Sequence, residues 1–123
     1  MAKTTKSDFN LFKKESEKWI DIFGLKGFEF RFHHENIHDD DALADSYWDT
    51  QGRCCIIALY KNWPDRYPKT DMEIRLAGFH EIAHVFIGKL GNLANARFIK
   101  EREIEEEQHA IIRTLEGVLF PKY

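Results

Sequence analysis

Two histidines and a glutamate stand together in His80-Glu81-Ile82-Ala83-His84. On an α-helix, residues four apart lie within about 40° of each other around the axis, one turn apart. The two imidazoles can therefore converge on a single cation, and zinc is the ion this H-E-x-x-H spacing suits. Glu81 lies about 100° round from His80. That puts it beside the cation rather than on it, where a carboxylate can take a proton from metal-bound water. The flanking residues Ile74, Leu76, Phe79, Ile82, Ala83, Val85, Phe86, Ile87 and Leu90 make this helix apolar on every other side. Two imidazoles and a carboxylate buried there without partners would be costly. A bound metal accounts for all three together, whereas the alternative is a pair of satisfied core histidines and a surface glutamate.

Catalytic zinc commonly takes three protein ligands and keeps one position open for water. The C-terminal segment offers Glu101, Glu103, Glu105, Glu106, Glu107 and His109. Most of such a charge run must be a solvated face. The apolar stripe of this segment (Ile104, Ile111, Ile112, Leu115, Val118 and Leu119) centres between Ile104 and Leu115. Glu106 falls opposite it. Glu105 and Glu107 fall on its two flanks, Gln108 nearer its centre but a poor zinc ligand, and His109 further out. Geometry leaves Glu105 and Glu107 level, with His109 as the substitute.

The elements that must position these groups can be read from periodicity. Phe9, Phe12, Ser16, Trp19, Ile20 and Phe23 recur at three- and four-residue steps between charged residues, which predicts an amphipathic helix from about Ser7 to Phe23. Ser7 is the expected N-cap and Gly24 the expected stop. Residues 27–33 alternate Phe28, Phe30 and Phe32 with Glu29, Arg31 and His33, the pattern of a half-buried strand. Two further strands, about 43–49 and 53–60, flank Thr50-Gln51-Gly52 and read as a hairpin. The run Cys54–Leu59 suits a central strand. Thr70-x-x-Glu73 has the form of a capping box and opens the histidine helix, expected over 71–90 with a stop near Gly91. A last helix is expected over 95–119. The order helix, three strands, helix, helix indicates a single small α+β domain spanning 1–123.

The chain has 123 residues, 43% of them hydrophobic and 14% aromatic, enough for a core. Eighteen Lys and Arg against 21 Asp and Glu leave a formal net charge of −3, which argues against a nucleic-acid binder working through a strong positive field. The lysines at 3, 6, 13, 14 and 18 are mixed with Asp8, Glu15 and Glu17 on a solvated helix face. No apolar run approaches the ~20 residues that span a bilayer, and no secretory signal follows Met1. Cys54 and Cys55 are adjacent, so on a strand they point to opposite faces and cannot readily bridge or chelate one ion. They read as reduced thiols, and the expected location is cytoplasmic.

With H-E-x-x-H on a central helix and a glutamate on the next, the sequence resembles the minimal gluzincin-type zinc metallopeptidases. The small versions carried by phages and mobile elements, and the repressor-cleaving ImmA/IrrE-type peptidases, look like the nearest relatives. As an order of elements the similarity covers most of the chain. In sequence it is sharp at His80-Glu81-x-x-His84 and loose around 103–121. In the repressor-cleaving relatives the ligand glutamate opens a stretch like E-A-N-x-F-A. Glu107-Gln108-His109-Ala110-Ile111-Ile112 matches it at the glutamate and at the apolar positions four and five residues on, with Gln108-His109 in place of Ala-Asn. The resemblance thus implies a zincin-like fold, Zn²⁺ held by His80, His84 and Glu107, Glu81 as general base, and a peptide or protein substrate added to the edge of the sheet. No G-x-x-H of a three-histidine metzincin is present.

From His33 to Gly52 there is no Lys or Arg, while Glu35, Asp39, Asp40, Asp41, Asp45 and Asp49 carry negative charge. The segment reads either as a solvated, aggregation-resistant edge or as a preference for basic substrates. His33, His34 and His38 raise a second metal site only weakly, because neighbouring strand residues face opposite ways. Tyr47, Tyr60, His109 and Arg113 are candidates to stabilise an oxyanion. The competing reading is a zinc-stabilised binding module that regulates a host or phage protein without turnover. The sequence leaves the oligomeric state open.

Overall fold

The computed structural model describes residues 2–36, 42–49, 54–95 and 101–120, with the backbone alone at 48, 49, 89–95, 101, 103, 104, 107, 114 and 118. The chain runs β1 (Ala2–Lys3), α1 (Lys6–Ile22), β2 (Glu29–Glu35), β3 (Ala44–Asp49), β4 (Cys54–Tyr60), β5 (Asn62–Trp63), α2 (Asp71–Asn95) and α3 (Glu101–Val118). This is the mixed α+β architecture expected, with one addition. β1 and β5 are two-residue strands that pair antiparallel and fasten the chain's start beside the end of the sheet. Strands that short carry no periodicity to read.

α1 forms because its apolar residues share one face: Phe12, Ser16, Trp19 and Ile20 are buried there. Its N-cap is Thr5, not Ser7. The Thr5 hydroxyl accepts from the Asp8 amide, and the Asp8 carboxylate accepts from the Thr5 amide. That reciprocal pair satisfies two helix-end donors where Ser7 could satisfy one. The helix stops as expected at Gly24, whose φ of 69° is the positive value glycine tolerates.

α2 is the centre of the molecule. It packs against α1, α3, β3 and β4, and Ile74, Phe79, Ile82, Ala83, Val85 and Ile87 are buried. Thr70 caps its start, accepting from the Glu73 amide at 3.2 Å. The helix runs on through Gly91 to Asn95. A glycine inside a helix costs only about 1 kcal/mol, and Asn92-Leu93-Ala94-Asn95 holds no proline to end it. Across α1 and α2 the buried Glu15 carboxylate accepts from Trp19 Nε1 at 2.6 Å and from Arg75 Nε at 2.9 Å.

The two helices cross closely at Gly78. A Cβ there would lie 2.9 Å from Ser16 Oγ and 3.0 Å from the Phe12 carbonyl oxygen, whereas one at Gly117 on α3 would meet nothing within 4 Å. Opposite outcomes are therefore expected from two glycine substitutions. Gly78→Val should cost about 2–3 kcal/mol through overpacking, and Gly117→Ala should add up to about 1 kcal/mol of helix propensity. Urea midpoints of the two variants check the signs.

The sheet order is β2-β4-β3. β4 is central and buried, parallel to β2 and antiparallel to β3, with Tyr47 opposite Ile56. The hairpin and the central strand are as expected, as is the alternation of β2: Phe28, Phe30 and Phe32 pack on the core while Glu29, Arg31 and His33 are exposed. The hairpin turn at 50–53 and the acidic run Asp39–Asp41 lie outside the described residues. β3 is an edge strand, and it lies along α2. No described helix is long and apolar enough to cross a membrane.

Candidate metal centre

His80 and His84 project from one face of α2, one turn apart, with ring centroids 4.9 Å from each other. The described third partner is His109 on α3, whose ring lies 4.8 Å from that of His84 and 6.1 Å from that of His80. One ligating nitrogen from each of the three falls within 4.8 Å of the others, so the group can hold a metal ion. Glu107 lies on α3, but its side chain is outside the described ones.

The described side chains of α3 depart from the expected stripe at one position. Ile112 is fully buried, Leu115 and Leu119 are half-buried, and Gln108 donates to the Ile87 carbonyl, while Ile111 is 40% exposed. Ile112, Leu115 and Leu119 keep to the expected stripe and Ile111 leaves it, which tips the described buried face away from Ile111 and towards the side that carries His109. Ile111 is apolar in type yet stands outside the buried stripe. Ile104 and Val118 lie outside the described side chains.

α3 supplies a second group to the site. Glu116 Oε2 sits 3.2 Å from His80 Nδ1. His109, Ile112 and Glu116 follow the i, i+3, i+7 spacing of one helix face. The signal for this carboxylate in the sequence is that His109 and Glu116 bracket Ile112, which is fully buried.

Glu81 is 8% exposed, so it is not a surface glutamate. Burial pushes its carboxyl up to about 7. The charges of Asp45 and Glu116 act the same way, against His80 and a hydrogen bond from Ser46 on β3. Burial lowers His84 to about 4, helped by the charges of His80 and His109. The largest single influence on His80 is also burial, acting downward. The hydrogen bond to Glu116 and the charges of Glu81 and Glu116 outweigh it, and the ring ends above its ordinary value.

These directions give the signs of two contributions to the pH dependence of the metal-free protein. His84 is depressed from 6.5, so its contribution to stability is lost as pH falls from 6.5 towards 4. Glu81 is raised from 4.5, so its contribution is present below 4.5 and lost as pH rises through about 7. The two slopes oppose each other between 4.5 and 6.5. Metal-free Glu81→Gln, which lacks the carboxyl titration, should lose stability on acidification through that interval more steeply than metal-free wild type. Urea midpoints at stepped pH test this, and equal slopes would refute it.

Two depressions meet at the cluster and share Ala44, His80, Glu81 and His109. The larger, about 660 Å³, is walled by Leu43, Tyr67, Leu76 and Ala77, with Glu73, Arg113 and Glu116 as its charged groups. The smaller, about 480 Å³, adds Asp45, Ser46, His84, Glu105 and Gln108. The result is a cleft along the β3 edge with the three imidazoles between its halves.

No family model, curated protein or solved structure matches this chain.

Of the remaining sequence candidates, Arg113 lines the larger half of the cleft. The Tyr60 hydroxyl donates to Asp45 at 3.3 Å, and Tyr47 is bonded to Glu35; neither lines the cleft. His33 is exposed beside Glu35, whereas His34 stacks on Phe9 and bonds the Thr4 hydroxyl at 2.7 Å. That hydroxyl donates to the Tyr60 carbonyl, so the His34 ring is the donor to it. The two rings do not meet, and His38 lies outside the described residues.

Proposed function

We propose that this chain is a zinc-dependent peptidase with Glu81 as general base. One observation carries the reading: three imidazoles and a buried carboxylate meet in an open cleft beside the edge strand of the described sheet. The donor set fits the ion, since neutral imidazole is a good zinc ligand and His84 is held neutral at ordinary pH. His80 and His84 would hold the metal with a third ligand from α3, which we assign to His109; Glu107 is the competing ligand that the gluzincin resemblance implies. A zinc ion held there acidifies a water and polarises a carbonyl.

The chain's own groups do the rest. The Glu81 carboxylate takes a proton from the attacking water and returns it to the leaving amine. The hydrogen bond from Ser46 holds that carboxylate from the β3 side. An extended peptide pairs with the outer edge of β3, and its side chains fall to either side of the cluster. Asp45, Glu73 and Glu105 around the cleft favour basic residues in the substrate. A cytoplasmic site of action suits the two free thiols, Cys54 and Cys55.

The test is proteolysis of a peptide library by zinc-loaded protein, with a chelator-treated control. Cleavage that chelation abolishes and zinc restores is the expected result. A second reading is favoured by the way the cluster ties α2 to α3: the ion as a fold-stabilising staple in a regulatory binding module. Chelation would then lower stability while no library peptide is cut with zinc present.

A further inference from the structure

We propose that Glu116 is a positioning residue for the metal centre, holding the His80 ring so that Nε2 is the atom presented to the ion. The inference rests on the metal-centre reading above. An imidazole ligates through one nitrogen, and the bond made by the other decides which nitrogen that is. Glu116 Oε2 lies 3.2 Å from His80 Nδ1. An ionised carboxylate only accepts, so the neutral His80 ring carries its one proton on Nδ1 and keeps the lone pair on Nε2. The same bond places the carboxylate on the opposite edge of the ring from Nε2, which makes Glu116 a poor candidate for a direct ligand.

Among the described residues, neither His84 nor His109 has a comparable hydrogen bond, so His80 is the ring whose orientation is set in advance. The group that sets it comes from α3, the helix that also carries His109. Glu116 is thus part of the way α3 closes the site. It is distinct from the base: Glu81 is next to His80 in sequence, yet it does not make the Nδ1 bond.

The experiment uses the full chain as wild type, Glu116→Gln and Glu116→Ala. Three quantities are measured: zinc affinity by competition with a chromophoric chelator, the metal-free urea midpoint, and the His80 tautomer in metal-free protein from long-range proton–nitrogen correlations of its ring. Glu116→Ala should weaken zinc binding by about 10–100-fold. Glu116→Gln should lose less, because its amide oxygen still accepts from Nδ1. The metal-free midpoints should stay near wild type. At a pH high enough to leave the ring neutral, His80 should be Nδ1-protonated in wild type and become a mixture of tautomers in the alanine variant.

Zinc binding by Glu116→Ala within threefold of wild type would overturn the proposal, as would an unchanged His80 tautomer. A loss of affinity matched by an equal loss of metal-free stability would make the residue merely structural and overturn it too. If wild type itself takes up no zinc, the metal-centre reading fails first, and this outcome is distinct from a failure confined to the Glu116 variants.

Discussion

Glu81→Gln should bind zinc as wild type does and cleave peptides about 10²–10⁴-fold more slowly, the range lost with a positioned proton acceptor. The carboxylate is 8% exposed and does not belong to the three-histidine group, so glutamine can replace it without removing a ligand. The amide can still take the Ser46 hydrogen bond, which keeps the local packing, but it cannot accept and release a proton at ordinary pH. Zinc content by elemental analysis and initial rates on a cleaved peptide give the two numbers. Full activity with normal zinc would remove Glu81 from the chemistry. Loss of both zinc and activity would instead place Glu81 among the groups that hold the ion.

The sequence made the α2 half of this site legible and left the α3 half ambiguous, for a physical reason. On α2, His80, Glu81 and His84 are polar residues on a helix that is otherwise apolar, so only their own chemistry could explain them. On α3 charged residues surround every candidate, and the choice depended on the rotation of the helix. That rotation is set by packing, with Ile112 buried and Ile111 exposed, and two adjacent isoleucines look alike in a sequence. Which flank of α3 meets the cluster depends on that rotation, and so does the place of Glu116 beside His80. The fold shows the same division. The alternation of β2, the apolar run of β4 and the stripe of α1 were readable because burial imposes a period on them. The Thr5 cap rests on a local pair of hydrogen bonds, the passage of α2 through Gly91 on a small propensity cost, and the β1–β5 pair on neighbours distant in sequence, and none of these leaves a period.

The same ambiguity makes the third ligand the most informative position to change. His109→Ala should weaken zinc binding by more than the 10–100-fold that loss of an orienting partner costs, since it removes one of three coordinating atoms. Glu107→Ala should leave affinity within a few-fold of wild type. The two variants cannot report the same thing. Positions two apart on a helix lie about 160° round from each other, so one straight helix does not offer both to the same ion. His109 is the one whose ring stands 4.8 Å from that of His84, and its imidazole adds no charge to the centre. An all-imidazole set leaves the full charge of the ion to act on a bound water, whereas a carboxylate ligand would offset part of it. Chelator competition on the two variants, with a matching set of peptide cleavage rates, separates the alternatives. If Glu107→Ala loses the metal and His109→Ala keeps it, the ligand set is the two-histidine, one-glutamate kind that the gluzincin resemblance implies.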